Sequence, residues 1–238
     1  RYGVCPYELS LDASNFADGI ICDYNYVFDP KVQLRRFFAE GKTLKMYYLI
    51  DEAHNLVDRA RGMYSSMLCK EDFLEVQKLL PEYAESMKYA CRRCNKEMLH
   101  LKKQWGSQAV IGDTDKLTYA LVRFVTEADR FLEELAPGNE EKELLELYFK
   151  VQHYLNIYDT MDDGYEIYVL ESGGRFYCKL FCINPSGQLK RCFVYSKASI
   201  LFSATFLPVN YYKNLLIGNE KEKAIYVSSP FCTEKRSI

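Results

Sequence analysis

Short apolar runs mark three predicted buried strands in this chain. The runs cover residues 19–24, 46–50 and 200–202. Between the first two, Pro30 suits the first turn of a helix whose apolar side chains would follow it. Those side chains are Val32, Leu34, Phe37 and Phe38. Strand–helix–strand order is typical of parallel pairing, so the sequence predicts an α/β fold.

The middle of the chain has a helical pattern instead. From residue 53 to about residue 158, apolar positions recur at intervals of three or four, as on one face of a helix. Three such stripes stand out: Met87, Cys91, Cys94, Met98, Leu101 and Trp105; Leu117, Leu121, Phe124, Ala128, Phe131 and Leu135; Leu144, Leu147, Val151, Tyr154 and Tyr158. Pro137-Gly138-Asn139 predicts a loop between the last two. We expect a helical insertion with its own core.

A strand-like pattern follows at residues 165–171, 175–184 and 188–195. Turn residues separate these segments at Ser172-Gly173-Gly174 and at Pro185-Ser186-Gly187. Three successive strands joined by short turns would form a small β-meander.

Composition is that of a globular protein, with 48% hydrophobic and 27% charged residues among 238. The net charge of −2 means that a nucleic-acid site would be a local basic patch. No apolar run approaches the roughly 20 residues of a membrane span, so no membrane association is expected. Nine irregularly spaced cysteines argue against a secreted disulfide framework and favour a cytoplasmic protein, or a nuclear one if the source is eukaryotic. The missing initiator Met fits a chain cut from a longer one.

Adjacent carboxylates follow the predicted strand at residues 46–50, in the string Asp51-Glu52-Ala53-His54. A buried parallel strand delivers such acids to the carboxyl edge of its sheet, where ligands bind. In phosphoryl transfer, one acid holds Mg²⁺ through water and a neighbouring group orients the attacking water. We assign Asp51 to the metal and Glu52 to the water. The alternative is an acidic strand end without function.

Gly41-Lys42-Thr43 resembles the end of a phosphate-binding loop, but the context is wrong. Such a loop needs a glycine where this chain has Arg36, and it must lead from a strand into a helix. Here the predicted order is helix, then Gly-Lys-Thr, then strand. A helix C-cap at Gly41 is the better interpretation.

Cys91-Arg92-Arg93-Cys94 resembles half of a zinc site, which Cys178 and Cys182 could complete. Both Cys91 and Cys94 lie on an apolar stripe, and cysteine packs as a small hydrophobe when buried. The sequence therefore favours core packing over metal binding.

The same predicted helix carries a basic face made of Lys88, Arg92, Lys96, His100 and Lys103. This face could follow a phosphate backbone. It could equally be a solvated charged surface that pairs with nearby acids. Those acids are Glu127, Glu133, Glu134, Glu140, Glu141 and Glu143.

Several strings in order carry a family resemblance. They are Cys5-Pro6-Tyr7, residues 17–30, Asp51-Glu52-Ala53-His54-Asn55-Leu56, Ser203-Ala204-Thr205 with Leu207-Pro208, and Ser228-Ser229-Pro230-Phe231. Together they resemble the XPD/DinG family of iron–sulfur superfamily 2 DNA helicases, in which the second and third motor motifs are a DEAH box and a Ser-Ala-Thr string.

The resemblance implies a fold, a division of the chain and an activity. Residues 1–62 and 196–238 would belong to a partial RecA-like motor domain 1, and residues 63–195 to an inserted Arch domain, mainly helical with the small β-meander. The full protein would be an ATP-dependent 5′-to-3′ DNA helicase that threads single-stranded DNA past the Arch. It would use ATP, Mg²⁺ and a [4Fe–4S] cluster.

The resemblance also implies roles for single residues. Cys5 would be the last of four cluster cysteines. His54 would act with Ser203, Ala204 and Thr205 in coupling ATP hydrolysis to DNA movement. The phosphate loop, three further cysteines and the second motor domain are missing from these 238 residues. We therefore expect the isolated chain to hydrolyse no ATP and to hold none of ATP, Mg²⁺ and the [4Fe–4S] cluster.

Two other functions stay open at this stage. The chain could be a non-catalytic nucleic-acid-binding module, with Lys88, Arg92, Lys96 and Lys103 as DNA contacts. Alternatively, the helical insertion could be a docking site for a protein partner, to which its acidic helices and the 15% aromatic content would contribute.

Overall fold

A computed structural model describes residues 3–38, 46–134, 139–218 and 225–228 and has a mixed α/β fold. The helices of this described part are α1 (Pro6–Ser14), α2 (Asn25–Phe28), α3 (Arg35–Phe38), α4 (Asn55–Met63), α5 (Lys70–Leu79), α6 (Glu85–Trp105), α7 (Asp115–Glu134), α8 (Asn139–Thr160), α9 (Ser186–Phe193) and α10 (Val209–Ile217). Its strands are β1 (Met46–Ile50), β2 (Ser66–Cys69), β3 (Gln108–Ile111), β4 (Tyr165–Ser172), β5 (Arg175–Cys182) and β6 (Ser196–Leu201). The Gly41-Lys42-Thr43 string lies outside the described residues.

Two of the predicted strands form a parallel pair. Strands β1 and β6 run side by side, with Leu49 opposite Ile200 and Ile50 opposite Leu201. Two backbone hydrogen bonds extend the pairing beyond the strands, from the Phe202 amide to the Ile50 carbonyl (3.0 Å) and from the Ala53 amide to the Phe202 carbonyl (3.1 Å). A parallel pair is thus present, but it joins chain segments about 150 residues apart and not the strands at residues 19–24 and 46–50 whose pairing the sequence predicted.

The predicted strand at residues 19–24 is wrong. This segment is irregular, Ile21 is fully exposed, and no strand in the described part of the chain pairs with it. The helix predicted after Pro30 begins later than expected, because residues 30–34 form a turn and irregular chain, and the described part of the helix is α3. Asp29 holds the chain in a turn, where its side chain accepts the Lys31 amide at 2.9 Å and its carbonyl accepts the Gln33 amide at 2.8 Å.

A second, antiparallel sheet has the strand order β2-β5-β4-β3. Strands β4 and β5 form the predicted hairpin, which turns at Gly173 and Gly174 with φ of +59° and +74°. The predicted third strand at residues 188–195 is wrong, because α9 occupies this segment. Its buried side chains, Gln188, Leu189 and Cys192, share one helical face. The sheet is therefore a hairpin flanked by β2 and β3 and not a meander.

The three predicted long helices are confirmed as α6, α7 and α8. Helices α5, α6 and α8 contact one face of the antiparallel sheet, and α7 packs against α6 and α8. Most side chains of the predicted apolar stripes are buried or half-buried there, whereas Trp105 is 41% exposed, and Leu135 and the predicted loop at residues 137–138 lie outside the described residues. Phe73 and Phe124 meet edge to face with ring centroids 5.5 Å apart, and the Tyr154 hydroxyl lies 3.4 Å from the Cys178 thiol of β5. These contacts join the helices and the sheet in one core.

Cysteine packs as a hydrophobe in this core, as expected. Cys91 and Cys94 are fully buried, and burial raises the pKa of the Cys91 thiol to about 12. Among the described residues, no group of three or more His, Cys, Asp or Glu side chains is placed to hold a metal ion. In the same part of the chain, no helix is both long enough and apolar enough to cross a bilayer.

A two-residue junction, Tyr64-Ser65, links α4 to β2. The Ser65 hydroxyl accepts the Cys182 amide at 3.0 Å, and the Ser65 carbonyl lies 3.2 Å from Nε2 of His153 in α8. The Tyr64 hydroxyl donates to the Phe28 carbonyl at 2.5 Å. The junction is thus bonded to β5, α8 and the end of α2.

Candidate active site

The two motif strings begin at neighbouring strand ends. Because β1 and β6 are parallel and in register, Asp51 and Phe202 leave the sheet at the same edge. This is the edge at which α/β sheets place their ligands. The chain then turns into α4, and the buried side chains of Ala53 and Leu56 fix the start of that helix against the core.

His54 connects the two strings. Its Nδ1 atom lies 2.8 Å from the Ser203 hydroxyl and 3.2 Å from the Glu52 carboxylate. The Ser203 hydroxyl also accepts the Thr205 amide at 3.1 Å and lies 3.3 Å from the Thr205 hydroxyl. Ala204 lies between them and offers no polar side chain. One ring nitrogen can therefore donate to the carboxylate or accept from the serine, depending on its protonation.

The two carboxylates lie on an exposed turn directly after β1. Oδ1 of Asp51 accepts the Glu52 amide at 2.8 Å, and Oδ2 of Asp51 has no protein partner among the described residues. Glu52 has φ of +46°, a left-handed conformation that is strained for a residue with a side chain. At this turn the chain leaves the direction of β1, and the Glu52 carboxylate comes close to His54.

Tyr24 supports this turn and was missed as a site residue. Its hydroxyl donates to the Asp51 carbonyl, and burial raises the pKa of this phenol, which keeps the donor protonated. The Arg59 guanidinium of α4 lies 5.4 Å from the Tyr24 ring centroid and 3.6 Å from the Asp23 carboxylate. The only sequence signal was the place of Tyr24 in the family string, because spacing along the chain does not reveal a contact across 27 residues.

The site residues fit Mg²⁺ but not the [4Fe–4S] cluster. Mg²⁺ is commonly held by one carboxylate and several waters, and the exposed Asp51 side chain has an oxygen free for that purpose. A [4Fe–4S] cluster needs four thiolates. Cys5 lies exposed at the start of α1, and the described residues place no set of cysteines around it, so they do not fit a cluster.

The predicted DNA contacts lie along α6, and two of the four form ion pairs with a glutamate of the same helix. Lys88 and Arg92 both face Glu85 in the first turn of their own helix, at 3.9 and 3.3 Å. Lys96 and Lys103 are exposed and have no ion-pair partner in the described part of the chain. Pairing of these four residues with the acidic helices, the alternative that the sequence left open, is not seen among the described side chains, which do not include those of Glu134, Glu140 and Glu141.

Comparisons with known proteins point to helicases. Residues 1–73 match the DEAD_2 family model, which covers β1, the adjacent carboxylates and α4. The chain is 34% identical over 90 residues to a "Regulator of telomere elongation helicase 1 homolog" of Caenorhabditis briggsae, and 29% identical over 86 residues to "ATP-dependent DNA helicase CHL1" of Saccharomyces cerevisiae. These matches cover 35% and 36% of this chain but only 9% and 10% of the relatives. The chain thus matches about a tenth of their length, and the helicase resemblance is confirmed over the shared part.

Proposed function

Because residues 1–73 belong to the DEAD_2 helicase family, we propose that this chain forms part of an ATP-dependent DNA helicase with 5′-to-3′ polarity. The observation that carries the proposal is the contact of His54 with Ser203. It joins the DEAH string to the Ser-Ala-Thr string across 149 residues, at the strand edge where an α/β ATPase binds its nucleotide.

Each carboxylate has a separate role in this proposal. Asp51 would hold Mg²⁺, and this metal would supply charge neutralisation for the phosphate oxygens. Glu52 orients the attacking water and accepts its proton at the side-chain carboxylate. Because Oε2 of Glu52 lies 3.2 Å from Nδ1 of His54, protonation of this carboxylate removes an anionic acceptor from the imidazole. His54 then favours Ser203, and Ser203 contacts Thr205. This series of contacts would couple hydrolysis to the Ser-Ala-Thr string.

Residues 63–195 would be the Arch-type insertion, between motor segments 1–62 and 196–238. The sheet topology supports this division. The antiparallel sheet is separate from the β1–β6 pair, and the chain returns from it to pair β6 directly with β1. In the proposed protein, this insertion guides single-stranded DNA.

The test uses two polypeptides. The 238-residue chain has no Gly-x-x-x-x-Gly-Lys-Ser/Thr string to bind phosphate, so we expect no DNA-stimulated phosphate release from ATP. A polypeptide that joins this chain to a phosphate loop and a second motor domain should hydrolyse ATP, and Glu52→Gln should lower that rate by about 100-fold or more while ATP binding is kept.

The matched control is Glu75→Gln, which changes an exposed glutamate of α5. It should leave hydrolysis unchanged. A Glu52→Gln variant with the full rate would contradict the proposed role of Glu52, and robust turnover by the 238-residue chain alone would contradict the division of the active site.

A further inference from the structure

The antiparallel sheet has a second face, opposite the helices, that carries aromatic and apolar side chains. We call it the outer face. Its residues are Met67, Val110, Tyr168, Leu170, Tyr177, Lys179 and Phe181. The strand register places Met67, Lys179, Tyr168 and Val110 in one row across all four strands. Cross-strand neighbours on one face are close enough to form a continuous surface.

No described element covers the outer face. Its aromatic rings are outside the buried core and are not among the side chains packed against it. Met67 is 47% exposed and Val110 is 63% exposed. A shallow cleft of about 840 Å³ opens on the same side, between residues of β3 and β4 that include Tyr168 and Leu170. Contiguous exposed apolar surface is typical of a binding site for a ligand or a macromolecule.

A single cation lies among these rings. Nζ of Lys179 is 4.6 Å from the centroid of Phe181 and 5.7 Å from that of Tyr168. The two rings meet edge to face, 6.2 Å apart. Lys179 has no carboxylate partner in the described part of the chain. Its charge is therefore held by aromatic faces and stays free to pair with an external anion.

The acidic residues near this surface do not cancel that charge. Glu171, at the far end of β4, is paired with Lys102 at 2.6 Å. Glu166 is exposed on the outer face itself, opposite Phe181 in the register, and makes no ion pair with Lys179. The centre of the outer face is thus aromatic and cationic.

We propose that the outer face binds single-stranded DNA, with bases stacked on Tyr168 and Phe181 and a phosphate paired with Lys179. Single-stranded nucleic acid supplies both complementary groups at once, since flat bases alternate with anionic phosphates along the strand. Sheets that present aromatic side chains bind nucleic acid in this manner. The choice of DNA as the nucleic acid rests on the proposed function. The surface is separate from the basic face of α6.

Binding is measured with the 238-residue chain and a fluorescein-labelled oligothymidylate of about 15 nucleotides, by fluorescence anisotropy. The double variant Tyr168→Leu/Lys179→Gln should weaken binding by about fivefold or more. The matched control is Tyr119→Leu/Lys116→Gln, which removes an exposed tyrosine and lysine from α7 and should leave binding unchanged. Circular dichroism melting checks that both variants fold.

A second measurement reports stacking directly. An oligothymidylate with 5-iodouracil, irradiated with the chain, should crosslink to Tyr168 or Phe181, and mass spectrometry of the peptides locates the adduct.

Equal binding by both double variants overturns the proposal, as does the absence of any binding. Loss of binding on Lys96→Gln/Lys103→Gln with an intact sheet also overturns it and assigns DNA to α6. If the Tyr168→Leu/Lys179→Gln variant loses only a protein partner, the occupant is a protein. Each outcome is independent of the ATP hydrolysis test, so the failure of one does not imply the failure of the other.

Discussion

Nδ1 of His54 lies 2.8 Å from the hydroxyl of Ser203, although 149 residues separate them in the chain. The contact closes a loop that contains the whole antiparallel sheet and its helices. It also places the ends of two parallel strands in direct chemical contact.

A double-mutant cycle should detect this contact. The cycle uses the two single variants, His54→Ala and Ser203→Ala, and the double variant. Urea unfolding measures the free energy of unfolding of each. Because a partly buried hydrogen bond contributes a modest net amount, we expect a coupling energy of about 0.5 to 1.5 kcal/mol. The control cycle pairs His54→Ala with Ser10→Ala, whose hydroxyl bonds within α1, and should show additivity. Additive effects of His54→Ala and Ser203→Ala would contradict the contact.

Acid should weaken the fold through Glu71. Burial alone would raise the pKa of this carboxyl, but hydrogen bonds from Lys70 and the Phe176 amide outweigh it and lower the pKa to about 2. A folded pKa below the unfolded value stabilises the protein above the unfolded pKa, near 4.3, and this stabilisation is lost as the pH falls towards 2. Glu71→Gln should therefore lower the free energy of unfolding at pH 7 by about 1 to 2 kcal/mol, after allowance for solvent screening.

The comparison contains its own control. Once Glu71 is protonated, near pH 2, the wild-type chain no longer has the charge that the variant lacks. Urea unfolding curves of the two should therefore converge between about pH 5 and pH 2. A constant difference across this range would show that the carboxylate contributes through packing and not through its charge.

Removing the Phe124 ring should strongly destabilise the helical core. This side chain is fully buried and meets Phe73 edge to face. Phe124→Ala should cost about 3 to 5 kcal/mol in the free energy of unfolding, because it leaves a cavity that its neighbours fill only in part. Val122→Ala changes a half-exposed position of the same helix and should cost less than about 0.5 kcal/mol. Similar losses in the two variants would contradict the placement of α7.

Thiol labelling should separate exposed from buried cysteines. Cys5 and Cys22 are exposed, whereas burial raises the pKa of Cys91 to about 12 and that of Cys178 to about 11. At pH 7 maleimide should modify Cys5 and Cys22 in the native chain, and Cys91 and Cys178 only after unfolding. Peptide mass spectrometry identifies the modified cysteines. Added zinc should not alter the pattern. If Cys91 and Cys94 reacted in the native state and zinc protected them, they would form a metal site.

Sequence patterns predicted the elements whose own side chains determine their structure. The stripes of α6, α7 and α8 are long and strongly periodic, and β1 and β6 are apolar runs that end in distinctive motifs. The β4–β5 hairpin has two adjacent glycines at its turn. The family strings implied that His54 and Ser203 act together, and their contact follows physically from parallel strand ends.

The failures arise where neighbours determine the outcome. Residues 192–195 have strand-forming side chains, but the Ser186 amide bonds to the Asn184 side chain at 3.1 Å and the chain enters α9 instead. Strands β2 and β3 have four residues each, too few for a clear alternation, and their pairing partners lie far along the chain. The Tyr24 hydroxyl donates to a backbone carbonyl, that of Asp51, and a backbone acceptor leaves no pattern of side chains to detect.

The Tyr64-Ser65 junction has a mechanical consequence. Helix α4 begins beside the carboxylate turn and is connected to β2 by only these two residues, both hydrogen-bonded to other elements. A further bond fixes the end of the helix, from Nε of Arg61 to the Ile183 carbonyl at 2.9 Å. We expect such a connection to be rigid and not to act as a hinge. A rotation of α4 at its carboxylate end would therefore move the antiparallel sheet as a rigid body, together with the side chains that the sheet carries.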